Sequence, residues 1–135
     1  MKKNRISKNW INKQRRDIYV RQSKIEGYRS RAVYKLKEIN DKFNILRNGQ
    51  SIVDLGGAPG SWSQYLSSTL KNTKLLAIDL LEIQEIKNVK LMKGDFTDDI
   101  YKQKIKSFFN TKIDLVISDM AVNTTGNKNL DAIVT

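Results

Sequence analysis

The chain has 135 residues, which is room for one domain, and 39% of them are hydrophobic, as in a soluble globular protein. It contains neither cysteine nor histidine, which excludes disulfides, thiolate-ligated metal sites and histidine-based catalysis. No apolar run approaches the roughly 20 residues that span a bilayer, and the lack of cysteine favours a reducing compartment. We therefore expect a cytoplasmic protein.

The positive charge is concentrated near the N-terminus. Residues 1–37 hold 13 Lys or Arg and two acids, whereas residues 38–135 hold 12 of each sign, so the first segment carries the whole net charge of +11. Clustered cations of this kind bind a phosphate backbone by displacing counterions. The same charge pattern is also typical of a solubilising tail or of a segment on an acidic membrane, so charge alone leaves these interpretations open.

Residues 1–22 show no sustained hydrophobic periodicity. We predict a flexible or locally helical basic arm there, followed by a domain over residues 23–135. Several aromatic side chains lie among the N-terminal charges and could stack on unpaired bases, which favours RNA as the partner: Trp10, Tyr19, Tyr28 and Tyr34.

The pattern becomes helical from Ser30, which is the predicted N-cap of a helix. The inner face of that helix would carry Val33, Leu36, Ile39 or Asn40, and Phe43. Four short segments rich in Ile, Leu or Val then predict strands: Ser51–Leu55, Lys74–Leu80, Val89–Lys93 and Ile113–Ser118. Two more helices are predicted between strands, at Ser61–Leu70 and at Asp98–Phe109, the second with Ile100, Ile105 and Phe108 or Phe109 inside.

Strands that alternate with helices predict an α/β fold with a mostly parallel sheet covered on both faces. The last predicted strand, Ile113–Ser118, is almost continuously apolar, as expected of a central strand. We expect its far edge to stay open, because few residues follow it, and an open apolar edge favours aggregation.

A glycine-rich loop, Val53–Trp62, connects the first strand to the following helix. Such loops let a nucleotide approach the backbone at the carboxyl edge of a sheet, although a tight turn also needs glycine for steric reasons alone. The glycines at 56, 57 and 60 do not follow the dinucleotide pattern G-x-G-x-x-G, and Pro59 removes an N–H group that a diphosphate would use. A nucleoside without phosphate fits this loop better.

Three further acids end or follow strands: Asp79, Asp95 and Asp119. Asp79 could accept hydrogen bonds from ribose hydroxyls and Asp95 from an adenine amino group. Taken singly, such acids are more often solvated strand ends or helix caps, but together beside a glycine-rich loop they favour a ligand site. The Met120–Val122 segment lacks the Pro-Pro-aromatic pattern expected of enzymes that methylate exocyclic amines.

The ordered motifs resemble the FtsJ/RrmJ family of ribosomal RNA methyltransferases from about Ile25 to Asp131. The motifs that carry the resemblance are Ser30–Leu36, Asp54–Gln64, Asp79–Leu81, Gly94–Phe96 and Ser118–Ala121. Smaller departures are Ser61 for a second glycine and Val122 for a proline, with Asn123 retained.

The resemblance implies a Rossmann-like fold that uses S-adenosyl-L-methionine, with four parallel strands in the order 3-2-1-4 and the later strands of the domain missing from this chain. It implies cofactor contacts from Gly60, Trp62, Asp79, Asp95 and Asp119. Of the family's Lys-Asp-Lys-Glu tetrad, Lys35 and Asp119 are present, while the second Lys and the Glu lie further on in the family. Without the resemblance, Lys35 would pass for a helix lysine that reaches water, and Trp62 for a packing residue.

The implied function is 2′-O-methylation of a uridine in large-subunit (23S) ribosomal RNA, with the RNA or the large ribosomal subunit as partner. We expect a monomer that needs neither a membrane nor a metal. The alternatives are a truncated, non-catalytic RNA- or cofactor-binding protein, a fragment of a complete methyltransferase, and half of a dinucleotide-dependent oxidoreductase. The loop at Pro59 and the basic arm disfavour the oxidoreductase.

Overall fold

The computed structural model describes residues 2–119 and 132–134 of the chain, with side chains from residue 9 to residue 119. The predicted features at Met120–Val122 and at Asn123 lie outside the described residues.

The N-terminal arm is one continuous helix, α1 (Lys2–Glu26). Of the two alternatives expected for residues 1–22, a flexible or a locally helical arm, the structure agrees with the helical one, and the helix extends further than expected, to Glu26. Residues 9–18 are exposed on this helix, whereas its last two turns pack against the next helix. There Tyr19 stacks on Tyr34 with ring centroids 5.0 Å apart, and Tyr34 Oη donates to Glu26 Oε1 at 2.7 Å. These contacts are polar and aromatic, so the hydrophobic periodicity of the arm does not indicate them.

The second helix, α2 (Val33–Phe43), begins later than predicted. Its N-cap is Ala32, without a side-chain cap, and Ser30 Oγ instead accepts from Ala32 N at 3.3 Å, just before the helix. Val33 and Leu36 are fully buried as expected, but Phe43 is 63% exposed, so the predicted inner face ends before it.

The sheet confirms the predicted order of its first four strands, β3-β2-β1-β4, all parallel to their neighbours. The strands are β1 (Ser51–Leu55), β2 (Lys74–Asp79), β3 (Val89–Lys93) and β4 (Leu115–Ser118). β1 and β3 have the predicted bounds, β2 ends one residue early, and β4 begins two residues late.

A fifth strand, β5 (Ala132–Val134), pairs antiparallel with β4, so that Val116 lies opposite Ile133. The prediction of an open edge at β4 was therefore wrong. A three-residue strand is too short to be recognised from alternation, and its antiparallel pairing brings the chain back along β4.

Successive residues of each strand face opposite sides of the sheet, so the core has two halves. On one side, α2 and α3 (Ser61–Thr69) cover the strands through Leu36, Trp62 and Leu66. On the other side, α4 (Asp99–Phe109) covers them through Ile105 and Phe109. Ile100 is 62% exposed, contrary to the prediction for α4, and lies in the first turn of the helix after the N-cap Asp98.

Candidate active site

A crevice opens where β1 and β4 end at the carboxyl edge of the sheet, as expected for ligand sites in open parallel sheets. Its volume is about 60 Å³. The glycine-rich loop, the start of α3 and the residue after β4 surround it. The residues that line this crevice are Ala32, Asp54, Gly56, Gly57, Ala58, Pro59, Ser61, Trp62 and Asp119.

Asp54, near the end of β1, is buried at 2% exposure and accepts a hydrogen bond from Ser63 Oγ at 2.8 Å. Burial raises the pKa of Asp54 to about 7, and the hydrogen bond from Ser63 opposes this rise. The negative charges of Asp119 and Asp79 raise that pKa further. The crevice therefore has an electronegative interior.

The glycines of the loop are needed by the protein's own packing. A Cβ at Gly57 would lie 2.9 Å from Asp54 Oδ2, and a Cβ at Gly60 would lie 2.9 Å from Ile86 Cδ1. Gly60 also has φ of +112°, which L side chains rarely adopt. The structure thus supports the steric explanation of both glycines, and a cofactor contact of Gly60 stays a prediction.

Asp79 ends β2 and holds the glycine-rich loop in place. Its Oδ2 accepts from Ala58 N at 2.9 Å, and its Oδ1 accepts from Leu81 N at 2.8 Å. Because each carboxylate oxygen has two lone pairs, Asp79 can accept further hydrogen bonds from a ligand. The carboxylate therefore lies beside the crevice with a fixed orientation.

Asp95 lies after β3 in an exposed turn, outside the residues that line the crevice. Its Oδ1 accepts from Thr97 N at 2.9 Å and from Thr97 Oγ1 at 2.6 Å. These hydrogen bonds, first that of the Thr97 side chain, lower the pKa of Asp95. The carboxylate of Asp95 is therefore ionised at neutral pH, and Thr97 fixes its orientation whether or not it contacts a ligand.

Lys35 of α2 and Asp119 after β4 meet in an ion pair, with Nζ 3.3 Å from Oδ1. Both predicted catalytic residues also line an outer cleft of about 470 Å³. Ala32 and Asp119 line the crevice and the outer cleft alike, so the two cavities adjoin. The residues lining the outer cleft are Tyr19, Ser30, Arg31, Ala32, Tyr34, Lys35, Glu38 and Asp119.

Trp62 lies mainly in the core, at 3% exposure, and its Nε1 donates to Ala32 O at 2.6 Å. It packs with Leu36 and Leu66 below the crevice. The packing role that the sequence left open for Trp62 is confirmed. A contact between Trp62 and a cofactor stays a prediction, since the indole also borders the crevice.

The sequence analysis assigned no role in the site to two residues, Tyr19 and Asp54. Tyr19 brings α1 into the outer cleft, although its residue type and spacing resemble those of the other aromatics in the arm. Asp54 was part of the glycine-rich motif but had no assigned role, and only its burial distinguishes it from the other strand-end acids. Sequence reasoning could have noted that Asp54 lies within a buried strand.

The model of the FtsJ-like methyltransferase family matches residues 28–135, which include all residues that line the crevice. The chain belongs to this family. A solved structure described as a ribosomal RNA methyltransferase from Plasmodium falciparum is 36% identical, with a TM-score of 0.63, and the match covers 77% of this chain and 62% of that one. The expected Rossmann-like methyltransferase fold is thereby confirmed.

Curated relatives of this FtsJ-like chain include proteins named ribosomal RNA large subunit methyltransferase E. The one from Pelagibacter ubique is 62% identical over 135 residues, which are 100% of this chain and 66% of that protein. The one from Brucella ovis is 46% identical over 129 residues, which are 93% of this chain and 54% of that protein. The FtsJ-like chain therefore spans between about half and two thirds of the length of these relatives.

Within residues 2–119 and 132–134 of the FtsJ-like chain, no helix is long and apolar enough to cross a membrane. In the same part of the chain, no three or more Asp or Glu side chains come together in a group that could hold a metal ion.

Proposed function

We propose that this chain provides the cofactor crevice and part of the acceptor site of an S-adenosylmethionine-dependent methyltransferase. The acceptor would be the 2′-hydroxyl of a uridine in large-subunit ribosomal RNA. The observation that carries the proposal is the Lys35–Asp119 ion pair, which lies where the crevice and the outer cleft adjoin. Such a junction suits a group transfer between two ligands that approach from opposite sides.

The charge of the crevice fits the cofactor. The negative charges of Asp79 and Asp119 raise the pKa of Asp54, and a site with these three carboxyl groups favours a ligand that carries positive charge. The sulfonium and amino groups of S-adenosylmethionine are cationic, whereas the diphosphate of a dinucleotide is anionic and would be repelled. The small crevice would hold the methionyl end, and the nucleoside would extend along the sheet edge past Asp79 towards Asp95.

S-adenosylmethionine, when bound, supplies a methyl group on a positively charged sulfur. Lys35, as the cation of an ion pair, can donate a hydrogen bond to the ribose oxygen, and Asp119 fixes the direction of the Lys35 ammonium. The hydroxyl must also lose its proton as the new bond to carbon forms. A protonated Lys35 cannot take that proton, and Lys35 is the one lysine that lines either cavity in the described part of the chain. We expect the base to be the second Lys of the tetrad, which lies further on in the family.

An RNA substrate agrees with the surface around the outer cleft. Helix α1 projects from that cleft, exposes residues 9–18 and carries most of the basic residues of the N-terminal segment. Such a helix can bind phosphates beside the target nucleotide. The names of the relatives support ribosomal RNA as the substrate class.

The experiment is a methyl-transfer assay with tritiated S-adenosylmethionine on undermethylated large ribosomal subunits. Labelled RNA is then digested with alkali, which cleaves RNA through the free 2′-hydroxyl and so leaves a labelled dinucleotide at each 2′-O-methylated position. The proposal expects the label in an alkali-resistant dinucleotide that begins with uridine. Label in mononucleotides would indicate a methylated base and would contradict the 2′-O reaction.

The assay is run with the 135-residue chain and with any longer product of its reading frame. We expect transfer by the longer product and near-background transfer by the 135 residues alone, because general-base assistance typically contributes about 10²–10⁴-fold. If a longer product binds S-adenosylmethionine and RNA but transfers no methyl group to any subunit or RNA tested, the non-catalytic binding protein is the correct interpretation.

A further inference from the structure

Residues 27–32 connect α1 to α2 and are fixed against α3. Gln64 Oε1 accepts from Arg29 N at 3.0 Å, and Gln64 Nε2 donates to Gly27 O at 2.9 Å. The two hydrogen bonds hold the backbone at Arg29 and just before it. The side chain of Arg29 therefore starts from a fixed point at the carboxyl edge of the sheet.

The guanidinium of Arg29 binds two separate loops. Nη1 donates to Pro59 O at 3.0 Å and to Gln84 O at 2.7 Å, and Nη2 donates to Glu85 O at 2.7 Å. Pro59 belongs to the glycine-rich loop after β1, whereas residues 84 and 85 belong to the loop after β2. One cation thus joins the two loops, and all three acceptors are backbone carbonyl groups.

The packing around the guanidinium explains a further constraint on the glycine-rich loop. A Cβ at Gly60 would lie 3.0 Å from Arg29 Nη1 and 3.2 Å from Ile83 Cγ2. Any side chain at Gly60 would therefore push against the cation or against the loop after β2. The close fit of Gly60 and Arg29 keeps the two loops together.

Asp79 at the end of β2 joins the same two loops a second time, because its Oδ2 accepts from Ala58 N and its Oδ1 accepts from Leu81 N. Asp79 adjoins the crevice, whereas Arg29 does not line it. The glycine-rich loop is thus held through Ala58 by the carboxylate and through Pro59 by the guanidinium.

We propose that Arg29 is a positioning residue for the cofactor, which holds the glycine-rich loop and the loop after β2 at the separation that the nucleoside requires. This inference rests on the proposed function, because it assumes that S-adenosylmethionine binds between these loops. A planar guanidinium suits the task because its donors diverge in one plane towards several carbonyls, whereas a lysine ammonium reaches fewer of them in a fixed geometry. Loops held before binding lose less conformational entropy when the ligand arrives.

The experiment compares Arg29→Lys and Arg29→Met with the wild-type chain by calorimetric titration of S-adenosylhomocysteine, well below the melting temperature of each protein. We expect Arg29→Met to bind at least about tenfold more weakly, and Arg29→Lys to recover part of the affinity. Arg47→Lys and Arg47→Met, at the exposed turn before β1, are matched controls that should bind as the wild type does.

Amide hydrogen exchange supplies a measurement that does not depend on the ligand. We expect faster exchange in residues 56–60 and 80–88 of Arg29→Lys, with the core strands unchanged. Wild-type affinity in both Arg29 variants, or unchanged exchange in these loops, would overturn the inference while leaving the proposed function intact. Failure of the wild-type chain to bind S-adenosylhomocysteine would instead overturn the proposed function and the inference with it.

Discussion

Lys35 Nζ lies 3.3 Å from Asp119 Oδ1, although the two residues are 84 positions apart in the sequence. The contact connects α2 to the end of β4, which are the elements on either side of the junction between the crevice and the outer cleft. Lys35 lines the outer cleft, whereas Asp119 lines both cavities. Because of this difference, we expect substitutions of Lys35 and of Asp119 to have different effects on methyl transfer and on cofactor binding.

In a longer, active product of the reading frame, replacing Lys35 with Met should reduce the rate of methyl transfer on the order of 10²-fold. The reason is that the variant lacks one hydrogen-bond donor to the reacting oxygen. The affinity for S-adenosylhomocysteine should stay within about twofold, since Lys35 does not line the crevice. Asp119→Asn should weaken both transfer and cofactor binding. Lys42→Met, an exposed position on the same helix, is the control. Unchanged transfer in Lys35→Met would remove this residue from the reaction.

Asp54 predicts a pH dependence of stability. Its pKa is about 7 in the folded protein, against about 4 for an unfolded Asp, so between these values the folded state binds more protons than the unfolded state. The free energy of unfolding contributed by Asp54 is therefore highest below pH 4, falls as the pH rises to about 7, and is constant above it.

Asp54→Asn removes this dependence and keeps an oxygen that accepts from Ser63 Oγ. We expect its stability relative to the wild type to increase from pH 4 to pH 7 by a few kcal/mol, on the order set by the difference in pKa. Urea unfolding, followed by circular dichroism at several pH values, measures the difference. Asp41→Asn, on an exposed helix face, is the control. Parallel stability curves for Asp54→Asn and the wild type would show that Asp54 is ionised in the fold.

Helix α1 should set the salt dependence of RNA binding. Deleting residues 2–16 removes seven Lys or Arg and leaves the contacts of Tyr19 and Glu26 with α2 in place. The slope of log affinity against log salt should become shallower by about 0.7–0.9 for each phosphate that the shortened helix no longer neutralises, while the affinity for S-adenosylhomocysteine is unchanged. Filter binding to ribosomal RNA fragments at several salt concentrations gives the slope. If the slope stays the same, α1 serves only solubility.

The strands of the sheet were predicted well, because the sequence patterns that indicate a strand lie within the strand itself and in the turns beside it. Apolar runs between turn residues locate β1 and β3 to the residue, and the resemblance to the methyltransferase fold implies the order of the first four strands that the structure confirms. The full length of helix α1 was not predicted, because aromatic and polar contacts hold it, such as that of Tyr19 with Tyr34. β5 was missed because three residues carry no periodic pattern.

The site residues that lie at the ends of strands were predictable from the sequence. The carboxyl edge of a parallel sheet brings Asp79 and Asp119 to the same side, so their place follows from the strand order. The role of Arg29 was not predictable, because its partners are backbone carbonyl groups 30, 55 and 56 residues away. Every residue has such a carbonyl group, so the residue types do not indicate which ones Arg29 contacts. The charge interactions of Asp54 likewise depend on burial in the assembled fold.

The central claim, that the crevice binds a cationic methyl donor, is tested most directly by calorimetric titration of the 135-residue chain with S-adenosylmethionine and with NAD. We expect binding of S-adenosylmethionine and none of NAD. Asp79→Ala should weaken binding by about 1–3 kcal/mol, because it removes both the loop contact with Ala58 and the acceptor for the ribose hydroxyls. The control variant Asp41→Ala should bind as the wild type does. Preference for NAD, or equal affinity of the wild type and Asp79→Ala, would contradict the account.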